Sequence, residues 1–212
     1  LDALADDGTL LALAPADRNT AIGLREVERS LAAEEFTVYS PTVRLWPGEK
    51  PADRCWSFDV RPDLAVPEFQ RRLDDAAAGD GEFVNVDVQF SYALLRPEGV
   101  RRIAFDPDAS RFAKLAEKTH HVTERIDLAA VKLSHDLAEG DNRLFLIGDG
   151  SQNVDHYAVL TRETGLNADL AVADYGDLLL FESVLALWND DEEAYNLVVD
   201  EETVVDRLGP RR

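Results

Sequence analysis

The sequence predicts an α/β segment followed by an all-β barrel. Two observations carry this expectation. Near the start, a short apolar run bounded by Gly8 and Pro15 leads directly into an amphipathic helical pattern. From Val122 onward, five strand-like runs follow at short spacing, with one short helical stretch between the third and the fourth.

Taken in order, "GTLLALAPAD" (8–17) reads as a buried strand of a mostly parallel sheet. "NTAIGLREVERSLAAEE" follows as a helix that places Ile22, Val27 and Leu31 on its apolar face and Arg25, Glu28 and Arg29 on the other. "FTVYSPTVRLW" is a strand interrupted by Pro41, which suits an edge. A loop inserted around 41–62 precedes "VPEFQRRLDDAAA", a short helix with Pro67 near its first turn. "GDGEF" is a turn, and "VNVDVQFSYALLR" alternates as a strand. These elements form a first unit over 1–100, joined by a connector, 101–121, to a second unit over 122–212. The second unit contains "RIDLAAVKLS", "RLFLIGD", "DHYAVLT", "LLLFESVLALWN" and "AYNLVVDEETVV", with the helix near Asp169 to Tyr175. Five strands with a helix between the third and fourth are the layout of an OB barrel.

Charge is the outstanding compositional feature, with a net −20 over 212 residues and the acids spread along the whole chain. Four lysines stand against eighteen arginines, and Asp outnumbers Glu. Such a surface is expected of a salt-in halophile, where at molar salt the Debye length is about 3 Å and self-repulsion is screened. The charge therefore reports habitat more than partner and does not exclude nucleic acid. A single cysteine cannot form an internal disulfide, and no apolar run approaches a membrane span. A soluble, cytoplasmic protein with no membrane partner is expected. With Leu at position 1 and no Met anywhere, the chain is expected to be the C-terminal piece of something longer.

Two landmarks carry a family resemblance. "GTLLALAPADRNTAIGLREVERSLA" resembles the late strand and following helix of class I S-adenosylmethionine-dependent methyltransferases. "VQFSYALLR" (88–96) is similar to the last strand of the mitochondrial small-ribosomal-subunit assembly methyltransferase-like family. The resemblance spans roughly residues 8 to 100. It implies that the first unit is the C-terminal portion of a Rossmann-like methyltransferase sheet, with the cofactor-binding loop upstream of residue 1. S-adenosylmethionine would then be bound by the full-length protein only, and this chain would hold no cofactor-binding residue. The family carries a cysteine-rich insertion thought to hold an iron–sulfur cluster, which needs about four thiolates. Here Thr42 follows Pro41 and only Cys55 remains, so no cluster is expected. Cys55 reads first as structural, with a redox role or metal ligation aided from outside as alternatives.

Other catalytic patterns are absent from the sequence. His120, His121, His135 and His156 lack ligand spacing, so no metal site is expected. There is no Gly-x-Ser-x-Gly elbow, "GDGS" at 148–151 leads into a strand rather than a helix, and "NDDEE" at 189–193 reads as a solvated hairpin turn. No catalytic residue is named. An OB face binds single strands through exposed aromatics and nearby cations. Trp188 and Tyr195, flanking a predicted hairpin, are therefore candidate stacking platforms together with Tyr157, with Arg143 as a cation. Arg96, Arg101 and Arg102 lie at the junction of the two units, where bound RNA could touch both. The function expected is the C-terminal part of an RNA methyltransferase-like protein, with ribosomal RNA or a pre-ribosomal particle as partner in small-subunit maturation. The alternatives are a non-catalytic RNA-binding assembly factor and a protein–protein adaptor.

Overall fold

The computed structural model describes residues 4–34, 36–41, 44–46, 58–62, 64–85, 87–116, 118–152 and 155–209. Cys55 and Trp56 lie outside the described residues.

The N-terminal unit is built on strand β1 (Leu10–Pro15), helix α1 (Arg18–Glu34), strands β2 (Thr37–Ser40) and β3 (Asp59–Arg61), helix α2 (Glu68–Ala77) and strand β4 (Val88–Arg96). The predicted strand–helix–strand unit forms, but its sheet is antiparallel where a mostly parallel one was expected. The late strand β4 pairs antiparallel with β1 along one edge and with β2 and β3 along the other. β1 and β2 thus run in the same direction with β4 inserted between them. The apolar run in β1 does not signal burial on both faces, as a parallel strand requires. Leu10, Ala12 and Ala14 pack under α1 with Leu24, Phe36, Ala93 and Leu95, while Leu11 and Leu13 on the other face are 55% and 64% exposed. The Rossmann-like methyltransferase sheet implied by the resemblance is therefore not the arrangement seen.

The facing of α1 also departs from expectation. Ala21, Leu24, Arg25 and Glu28 are buried and Val27 is exposed. Charge enters the buried face because Arg25 and Glu28 pair with each other, one turn apart. Arg25 also donates to the Tyr92 carbonyl at 2.8 Å and to Tyr175 Oη at 3.3 Å, so both of its terminal nitrogens are engaged inside the protein. Helix α2 starts just after Pro67, near its first turn as expected, and is capped at its end by Ala78 in the left-handed conformation. Its Phe69 and Leu73 are largely exposed.

After the short α3 (Lys118–His121), strands β5 (Arg125–Lys132), β6 (Arg143–Gly148), β7 (His156–Leu160), β8 (Leu178–Asn189) and β9 (Ala194–Val199) close a barrel in the order β5-β6-β7-β9-β8 and back to β5. The β7–β9 pair is parallel and the other pairs are antiparallel. Helix α4 (Asp169–Val172) lies between the third and fourth barrel strands. This is the five-stranded OB-like barrel the pattern predicted. The last expected strand divides at a turn over 200–203, and β10 (Val204–Leu208) adds to the outer edge of β8.

Alternation fills the barrel. Ile126, Leu128 and Ala130 point inward with Phe145, Ile147, Ala158, Leu160, Phe181, Val184, Tyr195, Leu197 and Val199. The long β8 serves β5 and β10 at its start and β9 at its end, and it changes phase midway. Ser183 has φ 59° and the register shifts opposite it, between Ile126 and Leu128. Such a bulge bends a strand and lets it turn a barrel corner. At the α4 end, buried Lys132 donates to the carbonyls of Leu170 at 2.9 Å and Ala173 at 2.7 Å, with its ammonium 4.2 Å from the centre of the Phe145 ring. This satisfies carbonyls that a helix end leaves orphaned.

The two units share a core. Ala129, Val131, Leu133, Leu146 and Leu178 on the outer barrel wall are covered by Leu45, Ile103 and Tyr175, with Trp46, Tyr92 and Phe105 alongside. Residues 101–121 supply Ile103, Phe112 and Leu115 to the buried set.

Candidate nucleic-acid interface

The residues that sequence reasoning put forward are distributed unevenly. Tyr195 is fully buried inside the barrel rather than exposed, because β9 turns it inward in register with Leu197 and Val199. Trp188 packs edge-on against it, ring centroids 5.1 Å apart at 85°, and is itself half-buried. The expectation that these two rings flank an exposed platform is therefore corrected: they plug one mouth of the barrel. His156 completes the plug, its ring 5.4 Å from Tyr195 and its Nδ1 accepting the Tyr195 backbone N–H at 3.0 Å. Tyr157 faces outward but is half-buried against the seam, and burial, with Glu192 beside it, pushes its phenol up. Arg143 is held by Asp136 at 3.5 Å and Glu163 at 3.4 Å.

The barrel surface that OB domains commonly use, the second and third strands with the loops after the first and fourth, has the wrong character here for phosphate. Its loops are 133–142, carrying Asp136, Glu139 and Asp141, and 190–193, which is wholly acidic. Its wall is apolar. Leu144 pairs across to Val159, Val159 to Val198, and Val198 to Leu185, forming a half-buried stripe over four strands.

The junction arginines lead elsewhere. Arg96 bonds Thr9 and Glu98 and stacks 4.0 Å over Tyr39, and Arg102 pairs with buried Asp177 at 3.4 Å. Arg101 differs. Among the described residues its guanidinium reaches only the Arg44 carbonyl, at 3.4 Å, and neither Arg101 nor Arg44 has an ion pair with a described carboxylate. Most arginines of the barrel, including Arg111, Arg125, Arg143, Arg162 and Arg207, are neutralised by Asp or Glu. Among the described residues, Arg44 and Arg101 thus bring two cations without a paired carboxylate to one place, in a chain of net charge −20.

Arg101 stands between two cavities. On one side a groove of about 380 Å³ is lined by Leu45, Trp46, Gly99, Ala104, Phe105 and Asp106. Trp46 is fixed there by a 2.8 Å bond from its indole N–H to Asp149, and Lys114 sits 5.4 Å from its ring centre. Asp149 is itself buried. It also accepts the Leu115 and Ser151 backbone N–H groups at 3.0 and 2.9 Å and the Ser151 hydroxyl at 2.7 Å. Burial pushes its carboxyl up against the pull of these donors. On the other side a cleft of about 150 Å³ is lined by Arg29, Arg44 and Arg101, over Ala32, Phe36 and Val38, with Glu28 at its base. Burial pushes the Glu28 carboxyl up, against the pull of Arg25, Arg44 and Arg29. Of the sequence candidates only Arg101 lies here. Arg44, Arg29, Trp46 and Phe105 were not among them, and the one signal that could have found Arg44 is a cation set in the apolar run "TVRLW".

The chain matches the family model described as a domain of unknown function (DUF8157) C-terminal domain over residues 116–208. No curated protein matches. Among solved structures it is similar to the OB domain of MM0293 from Methanosarcina mazei, at 19% identity and TM-score 0.31 over 43% of this chain and 79% of that one. It is also similar to the Ifi202 HINa domain in complex with 20bp dsDNA, at 12% identity and TM-score 0.36 over 57% of this chain and 59% of that one. The OB assignment itself rests on strand order, the parallel β7–β9 pair and the position of α4.

Proposed function

We propose that this protein is a nucleic-acid-binding OB protein that takes a single strand at the seam between its two units rather than on the usual barrel face. The observation that carries this reading is Arg101, a cation with no carboxylate partner among the described residues, beside an aromatic groove in a strongly acidic chain. A base laid against Trp46 or Phe105 would gain about 1–3 kcal/mol from stacking. Arg101 would meet the backbone, and Asp106 can accept an exocyclic amine. RNA is the expected form of the strand. A ribosomal RNA partner, a cytoplasmic halophilic setting and S-adenosylmethionine chemistry rest only on composition and on the resemblance around Phe90, Ser91 and Tyr92. The N-terminal sheet is antiparallel throughout its described pairs and gives methyl transfer no support.

The test is fluorescence anisotropy with labelled single-stranded RNA and DNA across a KCl series. Arg101→Gln should weaken binding across sequences and reduce the salt slope by about 1, whereas Arg143→Gln should leave both unchanged. Binding that ignores Arg101→Gln sinks the seam as the interface. A second reading, a protein adaptor, is favoured by the Leu144–Val159–Val198–Leu185 stripe framed by acidic loops. It predicts no affinity for either nucleic acid at any salt.

A further inference from the structure

We infer that the cleft beside Arg101 is a pocket for a phosphate monoester, the phosphorylated end of the strand whose first base enters the neighbouring groove. The inference rests on the nucleic-acid reading and adds end recognition to it. Three guanidinium side chains, Arg29, Arg44 and Arg101, line a space of about 150 Å³, which has room for a tetrahedral anion. Among the described residues, neither Arg44 nor Arg101 forms an ion pair with a carboxylate. The one acid in the lining, Glu28, is already engaged with Arg25 inside the helix face, so that pair contributes no net charge to the cleft. Ala32, Phe36 and Val38 add apolar lining beside the arginines, which lowers the local polarity and strengthens whatever the arginines hold.

The chemistry favours a monoester over an internal linkage. A guanidinium presents a planar fork that matches phosphate oxygens two at a time. A terminal phosphate carries about −1.5 to −2 charges near neutrality and three terminal oxygens, so it can use more than one fork at once. A phosphodiester carries a single charge and must also find an exit for the chain on both sides. Because Arg101 lines both the cleft and the aromatic groove, a strand that starts in the first passes directly into the second.

The experiment compares oligonucleotides of one sequence bearing a 5′-phosphate, a 3′-phosphate or hydroxyls at both ends, in KCl, with inorganic phosphate and acetate as competitors. One phosphorylated end should bind about tenfold or more tighter than the hydroxyl-ended strand, and which end it is fixes the polarity. Inorganic phosphate should erase that preference and acetate should not. Arg44→Gln should remove the preference, so that phosphorylated and hydroxyl-ended strands bind it equally. Thr37→Glu, which sets a carboxylate in the cleft wall from β2, should remove it as well, without loss of stability because the new charge meets arginines. Equal affinities for all three ends overturn the inference and leave seam binding standing. A preference that survives both substitutions overturns it too. If no oligonucleotide binds but inorganic phosphate protects the wild type and not Arg44→Gln, the function reading fails and the anion cleft stands. If neither phosphate nor oligonucleotide binds, both fall.

Discussion

Replacing Lys132 by Met should change how stability depends on pH far more than stability at neutral pH. The Lys132 ammonium is buried at the α4 end of the barrel, and burial lowers its pKa from the ordinary 10.5 to about 8, with Asp174 and Asp177 opposing the shift. In the unfolded chain the amine stays protonated up to the higher value, so between the two the unfolded state binds more protons. Stability must then rise with pH across that window. From about pH 7.5 to about pH 10 the gain is about 2 kcal/mol. At neutral pH the substitution removes a buried charge but strands the Leu170 and Ala173 carbonyls, each worth about 1–3 kcal/mol, so the two effects nearly offset. The assay is urea unfolding of both proteins at a series of pH values in constant KCl, read as the difference between them. That difference cancels every other titrating group. A difference that stays flat from pH 7.5 to 10 would refute the picture of a desolvated ammonium capping α4.

Three further outcomes follow from other buried groups. The His156 imidazole is lowered by burial from 6.5 to about 4, so the protein should lose about 3 kcal/mol on acidification through that range. His156→Gln, which keeps an acceptor for the Tyr195 N–H, should flatten that part of an acid-unfolding curve. Tyr195 Oη is buried with no hydrogen-bond partner among the described residues, and its phenol is pushed up to about 12 by burial. Tyr195→Phe should therefore be neutral or stabilising by up to about 1 kcal/mol in denaturant titration, and a clear loss would mean that the hydroxyl has a partner. Trp46→Phe deletes an indole donor to the buried Asp149 carboxylate and should cost about 1.5–3 kcal/mol by the same measurement.

The barrel was legible because each of its strands carries its own alternation. "DHYAVLT" announces inward Ala158 and Leu160 without reference to any partner. The N-terminal sheet was not, since β4 reaches β1 from some eighty residues away and nothing local marks the direction of that pairing. Helix α1 misled for a different reason. Arg25 and Glu28 look like a solvent face until their mutual pairing and the Tyr92 carbonyl are known. Trp188 and Tyr195 were placed correctly beside a hairpin but on the wrong side of its wall, which turns on strand phase rather than on residue type. Arg101 stands in the sequence as one of three junction cations, and nothing local separates it from Arg96 and Arg102, which the fold pairs with Glu98 and Asp177. Its neighbours come from separate stretches of chain, and Trp46 is anchored to a carboxylate 103 residues further on.

The seam sets a limit on how the molecule can be divided. The segment matched by the family model begins at residue 116, yet the barrel wall at Val131, Leu133, Leu146 and Leu178 is sealed by Leu45 and Ile103, which lie before it. Asp149 takes hydrogen bonds from Trp46 and Leu115, also upstream. A fragment trimmed to the matched segment would carry a wet apolar flank and a buried carboxylate short of two donors, and is expected to be sticky and weakly folded. What recurs as a unit of sequence is thus smaller than what behaves as a unit of cooperative unfolding.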